Sequence, residues 1–367
     1  VVALLLNEPQ LSHREPRLRL LVNGQELIGA YEAEITSTSH YGSDHFDAVL
    51  GLGPDPWADL GFWSSESDIL IDVQLGLDGG ASFTSVIQGF VDTVSIDSIG
   101  GIVHISGRDF TAAMIEAQTQ EAFSNRTSSE IAAIFAQRHG LVPCVVPTST
   151  PVGRFYQSDH EGLTLDRFSK TTTEWDLLVY LARQESYDAF VSGSDLYFQP
   201  TAQMSAITQV LYPTDMMELR LERSLTLARD IQVTVQSWNT LQNMAFSECV
   251  SSAIDVISLG GSDAAANSPQ RYVIIHPNLT PDKALAIARQ RLSELSRHER
   301  AIEFSMPGEL TLTPRSTIQL DGTGTDFDQA YYVDSIKRTF RIRSGFVQRI
   351  RASNSSPRTE LVSNTES

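Results

Sequence analysis

The sequence predicts a mainly β chain with an α+β insert: two similar β domains, one on each side of an α/β segment. Three observations predict it. The hydrophobic period changes from 2 to 3.6 near residue 108 and returns to 2 near residue 219. A five-residue strand, Phe90-Val91-Asp92-Thr93-Val94, comes back as Tyr332-Val333-Asp334-Ser335-Ile336, with aromatic, Val, Asp, hydroxyl and β-branched residues in the same order. Each copy is followed by a glycine turn, Gly100-Gly101 or Ser344-Gly345, and then by a return strand, so each reads as a hairpin closing a β domain. The expected boundaries are 1–107 for the first β domain, 108–205 for the insert, 206–350 for a second β domain with one helix, and 351–367 for a tail that is flexible or ordered by a partner.

In the first domain, Asn23-Gly24 is a two-residue hairpin signal. Tyr31, Ala33 and Ile35 alternate with Glu32, Glu34 and Thr36, giving one apolar and one acidic face. Ile69, Ile71, Val73 and Leu75 repeat the pattern. With the hairpin at 83–106 there are about six strands, enough for a small barrel or sandwich. Gly53 to Trp57 and Leu60-Gly61-Phe62-Trp63 lie between strands, where their aromatics make either an interface patch or a core flap.

In the insert, Asp109 can cap a short helix through Ala112, Ala113 and Ile115. Thr127-Ser128-Ser129-Glu130 is a capping box before the stripe Ile131, Ile134 and Phe135, and Gly140 ends that helix. A third helix starts near Thr173, with Asp176 placed to bond back to the cap and Trp175, Leu178, Leu181 and Ala182 on its buried face. A hairpin at 187–200 follows, turning at Ser192-Gly193-Ser194. In the second β domain, Ile231, Val233 and Val235 alternate with polar residues, and 258–269 reads as a loop. Thr280-Pro281-Asp282 starts a helix with Leu285, Ala288, Leu292 and Leu295 inward. Strands then run through to the second copy of the hairpin.

Composition bounds the function. A 41% hydrophobic, 20% charged chain of 367 residues is globular and suits two or three domains. Val1 to Leu6, its longest aliphatic run, is too short to span a membrane and lacks the flanks of a signal peptide. The net charge is −18 and uneven: residues 1–107 carry fifteen acids against three Arg, whereas Lys337 to Arg358 holds seven bases and no acid. A chain this acidic does not hold nucleic acid by neutralising phosphates. Cys144 and Cys249 form no metal or disulfide pattern and read as buried small hydrophobes.

The residues point to no catalytic site, no cofactor and no metal. Glu174 and Asp176 flank Trp175, but residues two apart on a helix face different ways, and first-turn capping explains both. There is no Gly-x-Ser-x-Gly run, and no His pair has ligand spacing on a helix. Gly51-Leu52-Gly53-Pro54 lacks the Lys and helix of a phosphate loop.

Three segments carry a family resemblance. The run from Thr173 to Glu185, followed by Tyr187-Asp188-Ala189-Phe190-Val191 and Leu196-Tyr197-Phe198, resembles the hub segment of contractile-tail proteins: phage late control protein D, baseplate hub proteins and the hub part of type VI secretion spikes. Phe123 to Ile131, running on to His139-Gly140-Leu141, is similar to a second family segment in the right order. Leu312-Thr313-Pro314-Arg315 through Asp321-Gly322-Thr323-Gly324 to Ile336 resembles the end of the hub's second barrel.

The resemblance implies a non-enzymatic virion protein with two tail-tube-like barrels, located in the tail baseplate and assembled in the host cytoplasm. It implies a homotrimer whose six barrels form a ring, joining a tail tube or distal tube protein to a spike protein, with tape measure protein and baseplate wedge as further partners. DNA would pass through without specific binding. An acidic first barrel lining the channel would repel DNA, with the basic hairpin turned to protein partners. No spike-like repeat follows residue 350, so the spike is expected to be a separate polypeptide. The same resemblance admits the hub of an injection device delivering protein effectors, and a glycan-binding or glycan-cleaving wall module is the reading from another class.

Overall fold

Hydrophobic alternation builds most of this chain, and the partners of each strand then decide the architecture. The computed structural model describes residues 14–39, 41–53, 59–119, 121, 123, 126–149, 152, 173–201, 207–224, 231–239, 244–252, 270–275, 281–296, 299–354 and 361–364. Val1 to Leu6, Pro54 to Trp57, the 258–269 run and Thr280 lie outside them.

The first β unit starts with β1 (Arg17–Val22) and β2 (Gln25–Leu27), which turn at Asn23 and Gly24 with φ of 50° and 82°. That pair of left-handed residues matches the twist of a tight hairpin. β3 (Ala30–Thr38) and β4 (His45–Gly51) bury Ala33, Ile35, Phe46, Ala48 and Leu50 and leave Glu32, Glu34 and Asp47 on the other face. α1 (Leu60–Ser65) tucks Trp63 into the same core, with the Phe62 ring edge-on at 5.1 Å. This part of the aromatic segment is therefore a core flap, from which only Leu60 remains exposed among its large apolar side chains. β5 (Leu70–Gly76), β6 (Thr84–Asp97) and β7 (Ile102–Asp109) complete the unit. Each fully buried Ile, Leu or Val here contributes about 1.5–3 kcal/mol. β6 and β7 approach closely at Gly107, where a Cβ would sit 2.2 Å from the Phe90 carbonyl oxygen and 2.6 Å from Phe46 Cζ.

The insert follows from its caps. α2 (Thr111–Glu116) has Phe110 at its N-cap with no side-chain cap bond, so Asp109 does not cap it as the sequence predicts, although its carboxyl accepts from Thr111 N at 3.2 Å. α3 (Ser128–Arg138) has the reciprocal Thr127–Glu130 capping box. After β8 (Val142–Val145), α4 (Glu174–Glu185) has the same box from Thr173 and Asp176 and ends at left-handed Ser186. β9 (Tyr187–Ser192) and β10 (Asp195–Pro200) form the expected hairpin, and β8 pairs parallel to β10. Ile131, Phe135, Trp175, Leu178, Leu181 and Phe198 fill a core separate from that of the first β unit.

The remaining elements are β11 (Gln209–Leu211), β12 (Glu218–Arg223), β13 (Ile231–Asn239), β14 (Met244–Ser252), β15 (Gln270–Ile275), α5 (Pro281–Ser296), β16 (Arg300–Pro307), β17 (Thr317–Leu320), β18 (Ala330–Arg341), β19 (Gly345–Ser353) and β20 (Leu361–Asn364). Two sequence expectations are corrected here. The alternating strand at Ile231 does not join the second barrel-like unit: β13, β14, β15 and β20 form their own four-stranded sheet, on which Val233, Val235 and Val250 pack against Ala284, Ala288 and Leu292 of α5. Alternation states which face is buried but not which strand lies alongside. Part of the 351–367 tail is also strand within the chain, since β20 pairs antiparallel with β14 from Cys249↔Asn364 to Ser252↔Leu361.

The main sheet has thirteen strands in the order β12-β16-β19-β18-β3-β4-β7-β6-β5-β1-β2, with β17 branching from β18 and β11 pairing with β17. The mainly β class and the large antiparallel sheet agree with the sequence reading. The two β units are halves of this one sheet. One half reads β12-β16-β19-β18-β17-β11 and the other β3-β4-β7-β6-β5-β1, strand for strand. Every pairing in both is antiparallel except β11 with β17.

Candidate assembly surface

The repeated Val-Asp-hydroxyl run places a β-bulge at the same point in both halves. β6 shifts register against β7 between Val91 and Thr93, leaving Asp92 as the extra residue, and β18 shifts against β19 between Val333 and Ser335, leaving Asp334. A bulge adds twist and re-aims the strand. Before the bulge each strand has, besides its hairpin partner, a second neighbour: Thr84 to Phe90 pair with β5 and Ala330 to Tyr332 with β17. Beyond it, β18 changes partner and joins β3, from Ser335↔Thr38 to Arg341↔Glu32. The bulge is thus a strand switch. Asp92 is held by Arg108 through two bonds, at 2.6 and 2.9 Å, whereas Asp334 is buried and its backbone carbonyl accepts from Ser39 N at 2.7 Å.

The β18–β3 seam brings the basic hairpin against the acidic domain. Lys337 Nζ lies 2.5 Å from Glu34 and Arg341 Nε 2.6 Å from Glu32. Arg349 bridges Glu218 at 3.0 Å and Glu303 at 3.5 Å. These partly exposed pairs are worth about 0–1 kcal/mol each. Their larger effect is on surface potential: acidic and basic strands share one face of one sheet and pair across it. Beside the seam, Thr36, Thr38, Ser43, His45, Asp334, Ser335 and Arg351 line an open cleft of about 510 Å³.

Arg315 joins the three parts of the chain, and sequence reading gave it no role. It has φ of 80°, its guanidinium lies 3.9 Å from the centroid of the Phe190 ring in β9, and it donates to the Ser39 carbonyl at 3.4 Å. Burial lowers its pKa, and nearby carboxylates oppose that shift. One of these is Asp44, whose own pKa is raised by burial although it accepts from Thr38 N at 2.9 Å. Asp109 is pushed up to about 7, first by burial and then by the charge of Asp44. On the first β unit, Tyr41 donates to the Tyr187 carbonyl at 3.1 Å and accepts at its own carbonyl from Trp175 Nε1 at 3.4 Å, docking the insert.

Glu174 and Asp176 do not converge. Glu174 is buried under the Arg138 guanidinium and 2.5 Å from His139 Nε2, while Asp176 closes the cap of α4. Cys144 and Cys249 are free and half-buried, less enclosed than the sequence reading expected. Among the described residues no group of three or more His, Cys, Asp or Glu could hold a metal ion, and no helix is long and apolar enough to cross a membrane.

A duplicated, bulge-switched antiparallel sheet with an α/β insert makes this a mainly β protein, and comparison with known proteins gives it a family and structural neighbours. The chain belongs to the family described as the Alg8 N-terminal domain, whose model matches residues 69–341. Comparison with curated proteins gave no match. Among solved structures, the chain is similar to the tail protein from Neisseria meningitidis MC58, with a TM-score of 0.68 and 14% identity over 94% of this chain and 98% of that one. It is similar to the 43 kDa tail protein of prophage MuSo2 from Shewanella oneidensis, with a TM-score of 0.62 and 15% identity over 93% and 97%. It also matches the E. coli c3393 protein, a type VI secretion system component with structural similarity to T4 bacteriophage tail proteins, with a TM-score of 0.54 and 10% identity over 93% and 78%. At these identities the likeness is one of fold.

Proposed function

We propose that the chain is a structural hub protein of a contractile phage tail, of the late control protein D type. Three copies form a pseudo-six-fold ring in the baseplate that joins the tail tube to a central spike and lets DNA pass. The observation that carries this reading is the duplicated sheet. Two strand-for-strand equivalent halves in one chain let three copies present six near-equivalent units, the arrangement needed to meet a six-fold tube on one side and a three-fold spike on the other. The full-length fold likeness to two tail proteins, one of them from a prophage, supports it.

Tube, spike, tape measure and wedge proteins are the proposed partners, and the virion tail is the proposed location. The role is mechanical and non-enzymatic. DNA would move past a face on which acidic and basic strands neutralise one another, with no basic track to hold it. The likeness to a type VI secretion component supports a second reading, the hub of a device that injects protein effectors. Native mass measurement of the purified chain tests the ring: trimers are expected at micromolar concentration, and a monomer at every concentration would overturn it. Incubation with peptidoglycan should release no fragments; turnover would overturn the non-enzymatic role.

A further inference from the structure

The two halves of the sheet are equivalent, yet only one has its switched strand paired. After its bulge β18 finds β3, whereas after its own bulge residues 93–97 of β6 pair only with β7 among the described residues. At the far end of the sheet, β12 pairs only with β16 among the described residues. β12 is the counterpart of β3, the strand that β18 takes up. The chain therefore ends in an open half-edge and an open strand that correspond to the two sides of its internal seam.

We propose that residues 93–97 of β6 pair antiparallel with β12 of a second copy of this chain, in the register of the internal β18–β3 seam. This rests on the ring reading above and specifies its interface. Register follows from the pairings. Glu34 connects through Asp47 and Ser106 to Thr93, and Arg220 connects through Glu303 and Arg351 to Ser335, so Arg220 stands where Glu34 stands. The internal partners Thr339↔Glu34, Arg338↔Ile35 and Lys337↔Thr36 then translate to Asp97↔Arg220, Ile96↔Leu221 and Ser95↔Glu222.

The chemistry fits this register. Asp97 meets a base, and Leu221, 36% exposed, meets Ile96, which is only half-buried although its counterpart Arg338 is buried. Opposite charges and apolar pairs directly across antiparallel strands are stabilising. The charge sense is inverted relative to the internal seam, where the switched strand is basic and its partner acidic. An unpaired edge invites another chain, and a copy that closes the ring removes both edges at once.

The test is a disulfide across the proposed seam. In a chain carrying Cys144→Ser and Cys249→Ser, Ser95→Cys and Glu222→Cys place thiols directly opposite, and Ser95→Cys with Arg220→Cys places them two residues off register. Directly opposite Cβ atoms come within about 5 Å and diagonal ones within about 7–8 Å, so only the first pair suits a disulfide. Mild oxidation should give a ladder of covalent oligomers ending at the native mass, at least about tenfold more than the off-register pair. An assembly of ring mass that cross-links no better than the off-register control overturns the seam and leaves the ring. A cross-linked monomer shows that both edges belong to one chain and overturns the second copy as occupant. A chain that is monomeric before oxidation overturns both.

If the cysteine variants do not fold, Arg220→Glu should weaken assembly by on the order of tenfold. Adding Ser95→Lys, which rebuilds the Lys337–Glu34 arrangement at the outer seam, should restore most of that loss. Unchanged assembly in Arg220→Glu, or no recovery in the double variant, overturns the register.

Discussion

Replacing Asp109 by Asn should remove the share of the stability loss that the natural chain undergoes through this carboxyl as pH rises. Asp109 is buried beside Asp44, and its carboxyl is pushed from 3.8 up to about 7. The folded chain therefore keeps a proton that the unfolded chain has released. Stability tied to that proton is complete below about pH 3.8, is lost as pH rises through about 7, and changes no further above it. The span from 3.8 to about 7 corresponds to about 4 kcal/mol, an upper bound because burial and the Asp44 charge act on both carboxyls together. Asn cannot ionise and keeps an oxygen to accept from Thr111 N, the 3.2 Å bond at the start of α2. Urea unfolding of both proteins from pH 4 to pH 8 measures the effect. The variant should match the natural chain near pH 4 and exceed it by about 2–4 kcal/mol at pH 8. Parallel pH curves, or a variant less stable at pH 8, would refute the assignment of a protonated Asp109.

Three further outcomes are expected. Gly107→Ala places a Cβ 2.2 Å from a backbone carbonyl that cannot move without breaking the β6–β7 ladder, so thermal unfolding should show a loss of at least about 3 kcal/mol. Thr173→Ala removes half of the α4 capping box and should cost about 1 kcal/mol in urea unfolding, with Thr173→Ser recovering most of it. Arg315→Ala should cost about 2 kcal/mol by losing the Phe190 stacking and the bond to Ser39, while Arg315→Met, which keeps the packing without a buried charge, should cost less. Equal losses for Ala and Met would show that the charge, and not the stem, holds the three parts together.

Local elements were legible because their causes are local. The caps at Thr127 and Thr173, the Asn23-Gly24 turn and the inward faces of β3 and β5 each depend on residues a few positions apart. The repeat around Asp92 and Asp334 was legible as a duplication, but its meaning was not, because a bulge exists only relative to a paired strand. Likewise Ile231, Val233 and Val235 announced a strand with one buried face, and nothing in their spacing distinguished a barrel from the separate sheet beneath α5. Arg315 gave no signal: its neighbours, Phe190 and Ser39, are remote in sequence.

The sequence by itself determined which segments are helix or strand, which faces are buried, and that one hairpin is used twice. Only the tertiary structure decided which strands are neighbours. That choice made two units one sheet, set acidic Glu32 and Glu34 beside basic Lys337 and Arg341, and paired one switched strand on both sides but the other, among the described residues, on one. The physical reason is that alternation and capping act within a few residues, whereas a ladder of backbone hydrogen bonds joins any two edges whose faces match, however far apart they lie in the chain.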